Sequence, residues 1–158
     1  IKSIAAGGEE RHNSVYNGLS QLDTSCGIVL IHDGARPFVD QSSIERSIEA
    51  ADEYGAACVA VKVKDTIKTS DAREFINGTP DRSRLWQAQT PQSFRYEIIM
   101  EAYKNAIKEG WESTDDSALV ERMGHHIKLV PGNYLNIKIT TQEDLILAEA
   151  IVLADRGY

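Results

Sequence analysis

Little in this chain would let it span a membrane, staple itself with disulfides or coat a nucleic acid. None of its 158 residues lie in a run approaching the roughly 18 apolar residues of a membrane-crossing helix. No charged-then-apolar leader is legible either, so a cytoplasmic protein with no membrane partner is expected. Cysteine is scarce: Cys26 and Cys58 are the only two. They form neither a CxxC nor a zinc spacing, and Cys58 sits in an apolar segment, so free thiols in a reducing compartment are expected. Aromatic residues make up 7% of the chain and are not interleaved with basic ones, as a single-strand binding surface would require. Positive charge is outnumbered, 17 Lys and Arg against 24 Asp and Glu, for a net charge of −7. That argues against general nucleic-acid binding but leaves room for a local basic pocket serving a small anion. Neither a P-loop nor GxGxxG occurs, and no Ser-His-Asp or Cys-His set is legible. His125 and His126 are adjacent on an extended segment, point to opposite faces and make a poor chelate. The chain does not begin with Met and opens in mid-pattern on Ile1-Lys2-Ser3-Ile4, so an amino-terminal piece is expected to be missing.

What is present alternates strand and helix, the signature of an α/β fold with a mostly parallel sheet. With 42% hydrophobic residues the chain suits one domain. Residues 1–5 read as a strand broken by Gly7-Gly8, and 11–22 as a helix. The β-branched run 27–31 reads as a central strand. Ser42-Ser43-Ile44-Glu45 reads as a capping box opening a helix, with Ile44, Ile48 and Ala51 on its inner face, that ends at Gly55. A buried strand is expected at 56–63. Residues 64–84 alternate at period two around polar turns, which predicts an exposed β-hairpin arm; a partner subunit is one place to bury its face, its own domain another. A strand near 85–88, helices at 94–109 and 115–123 and a strand at 126–130 follow. Thr140-Thr141-Gln142-Glu143 then caps a last helix to about 156, with Gly157 beyond.

The strongest chemical signal is Ile31-His32-Asp33-Gly34-Ala35-Arg36-Pro37-Phe38, which carries an acid and a guanidinium past the carboxyl end of a strand. Ligands bind at that edge of open α/β sheets. Asp suits a magnesium ion and Arg grips phosphate, though a turn with a surface ion pair fits the same residues. Gly7-Gly8-Glu9-Glu10-Arg11-His12-Asn13-Ser14 joins a strand to a helix, either as a plain turn or as a backbone cradle for an anion or base edge. Asp81 to Gln92 packs guanidiniums, amides and a hydroxyl beside Trp86; Arg82 and Thr90 could clamp a phosphate or polyol there. Thr114-Asp115-Asp116 reads first as a helix cap, and Lys138 stands in an extended segment just before a helix.

Taken together, residues 7–15, 32–37, 63–68, 81–92, 114–119 and 136–140, in that order, resemble the 2-C-methyl-D-erythritol 4-phosphate cytidylyltransferases. The resemblance implies a Rossmann-like nucleotidyltransferase sheet with helices on both faces, of which residues 1–158 would be the C-terminal two-thirds. It implies CTP and methylerythritol phosphate as substrates, Mg²⁺ as cofactor, and a homodimer that exchanges the arm at 64–84. It places Gly8, Glu9, Ser14 and Gly34 at the nucleotide and Asp33 at the metal and sugar phosphate. It places Arg36, Thr66, Thr90 and Thr114 at the substrate and gives Arg82 and Lys138 the catalytic role of fixing its phosphate, with Thr66 and Arg82 reaching the partner subunit's site from the arm and Lys138 acting in its own. The family's glycine-rich loop, with its Arg and Lys, has no counterpart in these residues, so this chain alone is expected to be nearly inactive. Leu135 stands where the family usually has a polar residue. Ribitol-5-phosphate cytidylyltransferases share the fold, and an inactive nucleotide-binding or dimerisation module is the alternative from another class.

Overall fold

Why the chain layers as it does follows from which segments are apolar on both sides and which on one. The computed structural model describes residues 3–155. Strand β1 (Ile28–Ile31) buries Val29 and Ile31 on one face. Strand β2 (Ala56–Lys62) is buried at every position but its last, as expected of a strand covered on both faces. Small residues dominate it (Ala56, Ala57, Ala60), so flanking helices approach closely. Helix α1 (Arg11–Leu19) precedes β1, and α2 (Gln41–Tyr54) connects β1 to β2. Gly55 ends α2 at φ 89°, a left-handed turn where a side chain would be strained.

Beyond β2 the chain makes the expected hairpin, β3 (Thr69–Ser70) against β4 (Ile76–Gly78). Asp71 caps its turn by accepting the backbone N–H of Arg73 and Phe75. Phe75 and Ile76 at its tip are exposed. Strand β5 (Trp86–Arg95) leads directly into helix α3 (Tyr96–Glu109), followed by α4 (Asp116–Arg122), β6 (Lys128–Pro131) and α5 (Gln142–Asp155). The main sheet runs β1-β5-β2-β6. One face carries α1, α3 and α4 over Leu19, Val29, Ile31, Phe94, Ile99, Tyr103 and Val120. The other carries α2 over Ala51, Ala57, Val59 and Val130. Fully buried Phe94 and Ile99 each contribute about 1.5–3 kcal/mol by leaving water.

Several expectations change. Residues 3–5 of the expected first strand have no regular structure, because no strand among the described residues pairs with them; residues 1 and 2 lie outside the described residues. Strand β1 is not central: it pairs antiparallel with β5 alone and forms one margin of the described sheet. The sheet is mixed, since β5 runs against both neighbours and only β2 and β6 are parallel. The strand expected at 85–88 continues through Pro91 to Arg95, so the next helix begins at Tyr96. Pro91 lacks an N–H, and the β2–β5 register shifts between Cys58 and Ala60 opposite it. Helix α1 ends at Leu19, three residues early. Asp40, not Ser42, caps α2, accepting the Ser43 N–H at 2.8 Å. The inner stripe of that helix is Ser43, Ser47 and Ala51, while Ile48 is exposed; small hydroxylated residues let α2 lie close, with the Ser93 hydroxyl donating to Ser47 Oγ at 2.9 Å. In the last helix Thr141 pairs with Asp144, which accepts the N–H groups of Thr140 and Thr141. Its expected end at 156–157 lies outside the described residues. No helix among those described is long and apolar enough to cross a membrane.

Candidate active site

At the carboxyl end of β1 the chain turns, and Asp33 projects into a cavity of about 260 Å³. Arg11, Arg36, Thr90, Thr114 and Lys138 line it, together with segments around Gln89 and Asp115. Five segments therefore converge where an open α/β sheet presents its loops.

Asp33 is the centre of charge. Its Oδ2 lies 3.1 Å from Lys138 Nζ and 3.7 Å from Arg36 Nε, and its Oδ1 lies 3.5 Å from Arg11 Nε. Burial alone would push this carboxyl up, but Lys138, then Arg11 and Arg36, outweigh it and hold it below the usual carboxylate range. Burial weakens the proton affinity of Arg36, with Asp33 opposing that loss. Arg11 moves the other way: hydrogen bonding to Asp116 strengthens its hold on the proton against the cost of burial.

The supporting contacts explain why these side chains stand where they do. The Asp33 N–H donates to Thr90 Oγ1 at 3.1 Å, and Thr90 Oγ1 lies 2.9 Å from His32 Nδ1. His32 Nε2 is 2.9 Å from the Arg36 carbonyl. A carbonyl can only accept, so Nε2 bears a proton; in the neutral ring Nδ1 then accepts the Thr90 hydroxyl. His32 is thus a strut between Thr90 and Arg36. Asn136, fully buried, donates from Nδ2 to the Thr90 carbonyl at 2.9 Å, and its own carbonyl accepts Arg36 Nη1 at 2.9 Å. With Ile139 N–H donating to Ala35 O at 2.8 Å, these bonds stitch the Lys138 segment to the Asp33 turn. Gln92, also buried, donates to Asp115 Oδ2 at 2.8 Å and accepts the Ser117 N–H at 2.9 Å, setting the start of α4 beside Thr114.

Of the residues singled out in the sequence, Asp33, Arg36, Thr90, Thr114 and Lys138 share this cavity. Gly34 sits in the exposed turn beside it, with open space around the position of a Cβ. Gly8 and Glu9 lie in a separate exposed turn leading into α1, where Oγ of half-buried Ser14, within that helix, accepts the Gly8 N–H at 2.9 Å. A Cβ on Gly8 would lie 2.2 Å from Asn13 Cβ, so this turn needs glycine for contact rather than for torsion. Thr66 and Arg82 do not line the cavity; both are exposed at the base of the hairpin, where Arg82 Nη1 donates to the Lys64 carbonyl at 2.6 Å. Arg11, Gln92, Asp116, Tyr103 and Asn136 were not picked out by sequence reasoning as site-builders. Arg11, Gln92, Asp116 and Asn136 do stand within the motifs that carry the family resemblance, whereas Tyr103 stands in none of them. Both cysteines are unpaired, and burial pushes the Cys58 thiol up to about 11. Among the described residues no three His, Cys, Asp or Glu side chains are grouped to hold a metal.

Comparison with known proteins sets this geometry in a family. The profile of the IspD family, 2-C-methyl-D-erythritol 4-phosphate cytidylyltransferase, matches residues 2–154. The enzyme of that name from Caldanaerobacter subterraneus subsp. tengcongensis is 58% identical over 146 residues, 92% of this chain and 64% of the relative. That from Pelotomaculum thermopropionicum is 50% identical over 157 residues, 99% of this chain and 66% of the relative. In structure the chain resembles 4-diphosphocytidyl-2C-methyl-D-erythritol synthase from Anaerococcus prevotii, with a TM-score of 0.88 at 38% identity, covering 93% of this chain and 66% of that one. The cytidylyltransferase from Thermus thermophilus superposes with a TM-score of 0.84 at 36% identity, covering 92% and 71%. The chain thus spans 64–66% of the length of the first curated relatives it matches. A match along almost every residue, at identities of half and more, carries one conclusion: the chain belongs to the 2-C-methyl-D-erythritol 4-phosphate cytidylyltransferase family.

Proposed function

We propose that the protein transfers CMP from CTP to 2-C-methyl-D-erythritol 4-phosphate, releasing pyrophosphate and forming 4-diphosphocytidyl-2-C-methyl-D-erythritol. The observation that carries this reading is the cavity around Asp33, where Arg36 and Lys138 present cations and Thr90 and Thr114 line the walls. In the transfer, an oxygen of the acceptor phosphate bonds to the α-phosphorus of CTP while the bond from that phosphorus to the bridging oxygen breaks. The electron pair leaves with pyrophosphate. The attacking oxygen is already ionised, so no general base is needed, and catalysis is positioning plus charge neutralisation.

Within this reading Lys138 and Arg36 hold the acceptor phosphate, and Thr90 and Thr114 face its polyol. Gly8, Glu9, Ser14 and Gly34 border the nucleotide. Asp33 supplies a single partly solvated carboxylate, which suits Mg²⁺, an ion that takes most of its shell from water and substrate phosphates. When bound, the ion would neutralise phosphate charge. Thr66 and Arg82, exposed on the hairpin, would serve a second subunit's cavity, which makes the working form a homodimer. Two unpaired cysteines suit a cytoplasmic setting. Groups to neutralise the triphosphate, which the family carries on its glycine-rich loop, are not among these residues, so the 158 residues by themselves should bind the acceptor more readily than turn it over.

The test is pyrophosphate release by the full-length protein with CTP, Mg²⁺ and either methylerythritol 4-phosphate or ribitol 5-phosphate. Turnover with the first and a collapse in Lys138→Ala supports the reading. Turnover with ribitol 5-phosphate alone, or with neither, sinks it.

A further inference from the structure

Arg11 opens α1 directly after the glycine turn, and its guanidinium faces two carboxylates at once. Nη1 and Nη2 donate to Asp116 Oδ1 and Oδ2 at 3.0 and 2.6 Å, a bidentate grip. Asp116 is fully buried and also accepts the hydroxyl of buried Tyr103. A planar guanidinium held at two points has little freedom left. Its Nε therefore stands at a fixed place, 3.5 Å from Asp33 Oδ1. The other oxygen of Asp33 faces Lys138 and Arg36, so the two oxygens are divided between different cations.

That division matters to any anion entering the cavity. Lys138 and Arg36 are the groups a phosphate would meet, and Asp33 is the internal anion that competes for them. A carboxylate free to rotate could turn both oxygens toward Lys138 and Arg36. One whose Oδ1 is retained by Arg11 offers them a single oxygen.

We propose that Arg11, braced by Asp116 and Tyr103, is a positioning residue that holds Asp33 on one side of the cavity and so leaves Lys138 and Arg36 open to phosphate. The proposal rests on the reading of the cavity as an acceptor-phosphate site and assigns the residue that tunes it. A merely structural role, pinning α1 to α4, would act regardless of Asp33.

Calorimetric titration with inorganic phosphate separates the two in a double-mutant cycle. Arg11→Lys keeps the charge but loses the fork, and should weaken phosphate binding about fivefold, the scale of one misplaced charge-assisted contact. In an Asp33→Asn background the same change should have less than a twofold effect, because the competing carboxylate is gone. Tyr103→Phe, which removes only the brace, should follow the same pattern more weakly, and it keeps the test open where Arg11→Lys does not fold. Equal losses in both backgrounds, or none in either, overturn the proposal. Absence of phosphate binding by the unsubstituted protein overturns it together with the acceptor-site reading. Phosphate binding without turnover defeats only the proposed transfer reaction, and the cycle still decides the role of Arg11.

Discussion

Replacing Asn136 by Ala should unsettle the fold, whereas replacing Lys138, two residues on, should not. Asn136 is fully buried and gives its Nδ2 to the Thr90 carbonyl, in the stretch of β5 where the ladder is irregular. Removing the donor leaves that carbonyl without its partner, at about 1–3 kcal/mol. The small cavity adds about 1 kcal/mol. Against this, Asn136 Oδ1 has no hydrogen-bond partner, so losing it recovers roughly 1 kcal/mol of desolvation. The net is a loss of about 2 kcal/mol, or about 4–8 °C in Tm for a domain of this size. Lys138 is 44% exposed and its partner Asp33 keeps two other cations, so Lys138→Ala should change stability by less than about 0.5 kcal/mol. Urea unfolding followed through Trp86 and Trp111 fluorescence gives both numbers, and phosphate titration gives the second half: Lys138→Ala should lose anion binding while folding normally. A cost below about 0.5 kcal/mol for Asn136→Ala, or an equal cost for both variants, would refute this division between a residue that builds the site and one that uses it.

Cys58, its thiol pushed up to about 11 by burial, should hold about one part in a thousand as thiolate at pH 8, against roughly a quarter for a free cysteine; Cys26 should react first with a thiol reagent in the native protein, and simultaneous labelling would contradict the burial argument. Gly8→Ala must displace the turn before α1, because the new Cβ would overlap Asn13 Cβ; far-UV circular dichroism should be unchanged while KM for CTP rises about tenfold or more, the scale of one lost binding contact, and an unchanged KM would remove this turn from the nucleotide site. Because Asp33 is held below its unfolded value, its stabilisation is fully present above the unfolded pKa near 3.9 and is lost as pH falls through the folded value. Urea midpoints measured downward from pH 6 should therefore fall more steeply for the unsubstituted protein than for Asp33→Asn, and parallel curves would count against the charge cluster.

Local signals were legible because local chemistry sets them. The hairpin at 64–84, the buried β2 and the helix over Ile99, Tyr103 and Ala106 follow from periodicity and turn residues close in sequence. Asp33 and Arg36 are three apart on one turn, so their pairing is nearly forced. The sheet order was not legible, because antiparallel pairing of β1 with β5 joins residues more than 60 positions apart and leaves no trace in either strand. The strand expected near 85–88 runs on through Pro91 because the irregular register opposite β2 accommodates a residue without an N–H. The contact of Arg11 with Asp116 spans 105 residues, and Asp116 alone reads as a helix-start acid, which it also is. Asn136 looked like part of a short motif; only the packed structure shows that its amide and its carbonyl tie two other segments together.

That cavity draws its walls from residues 11, 33, 36, 90, 114 and 138, so it exists only when nearly the entire chain has come together. Any anion it takes is therefore a ligand of the native state and not of the unfolded one. Saturation at a hundred times the dissociation constant would stabilise the whole chain by about 2.7 kcal/mol. Shifts in melting temperature would then report occupancy from anywhere in the molecule, including the far faces of α2 and α3. Phosphate-rich buffers would raise apparent stability in the same way, and the reagent that fills the cavity would double as the chain's folding aid.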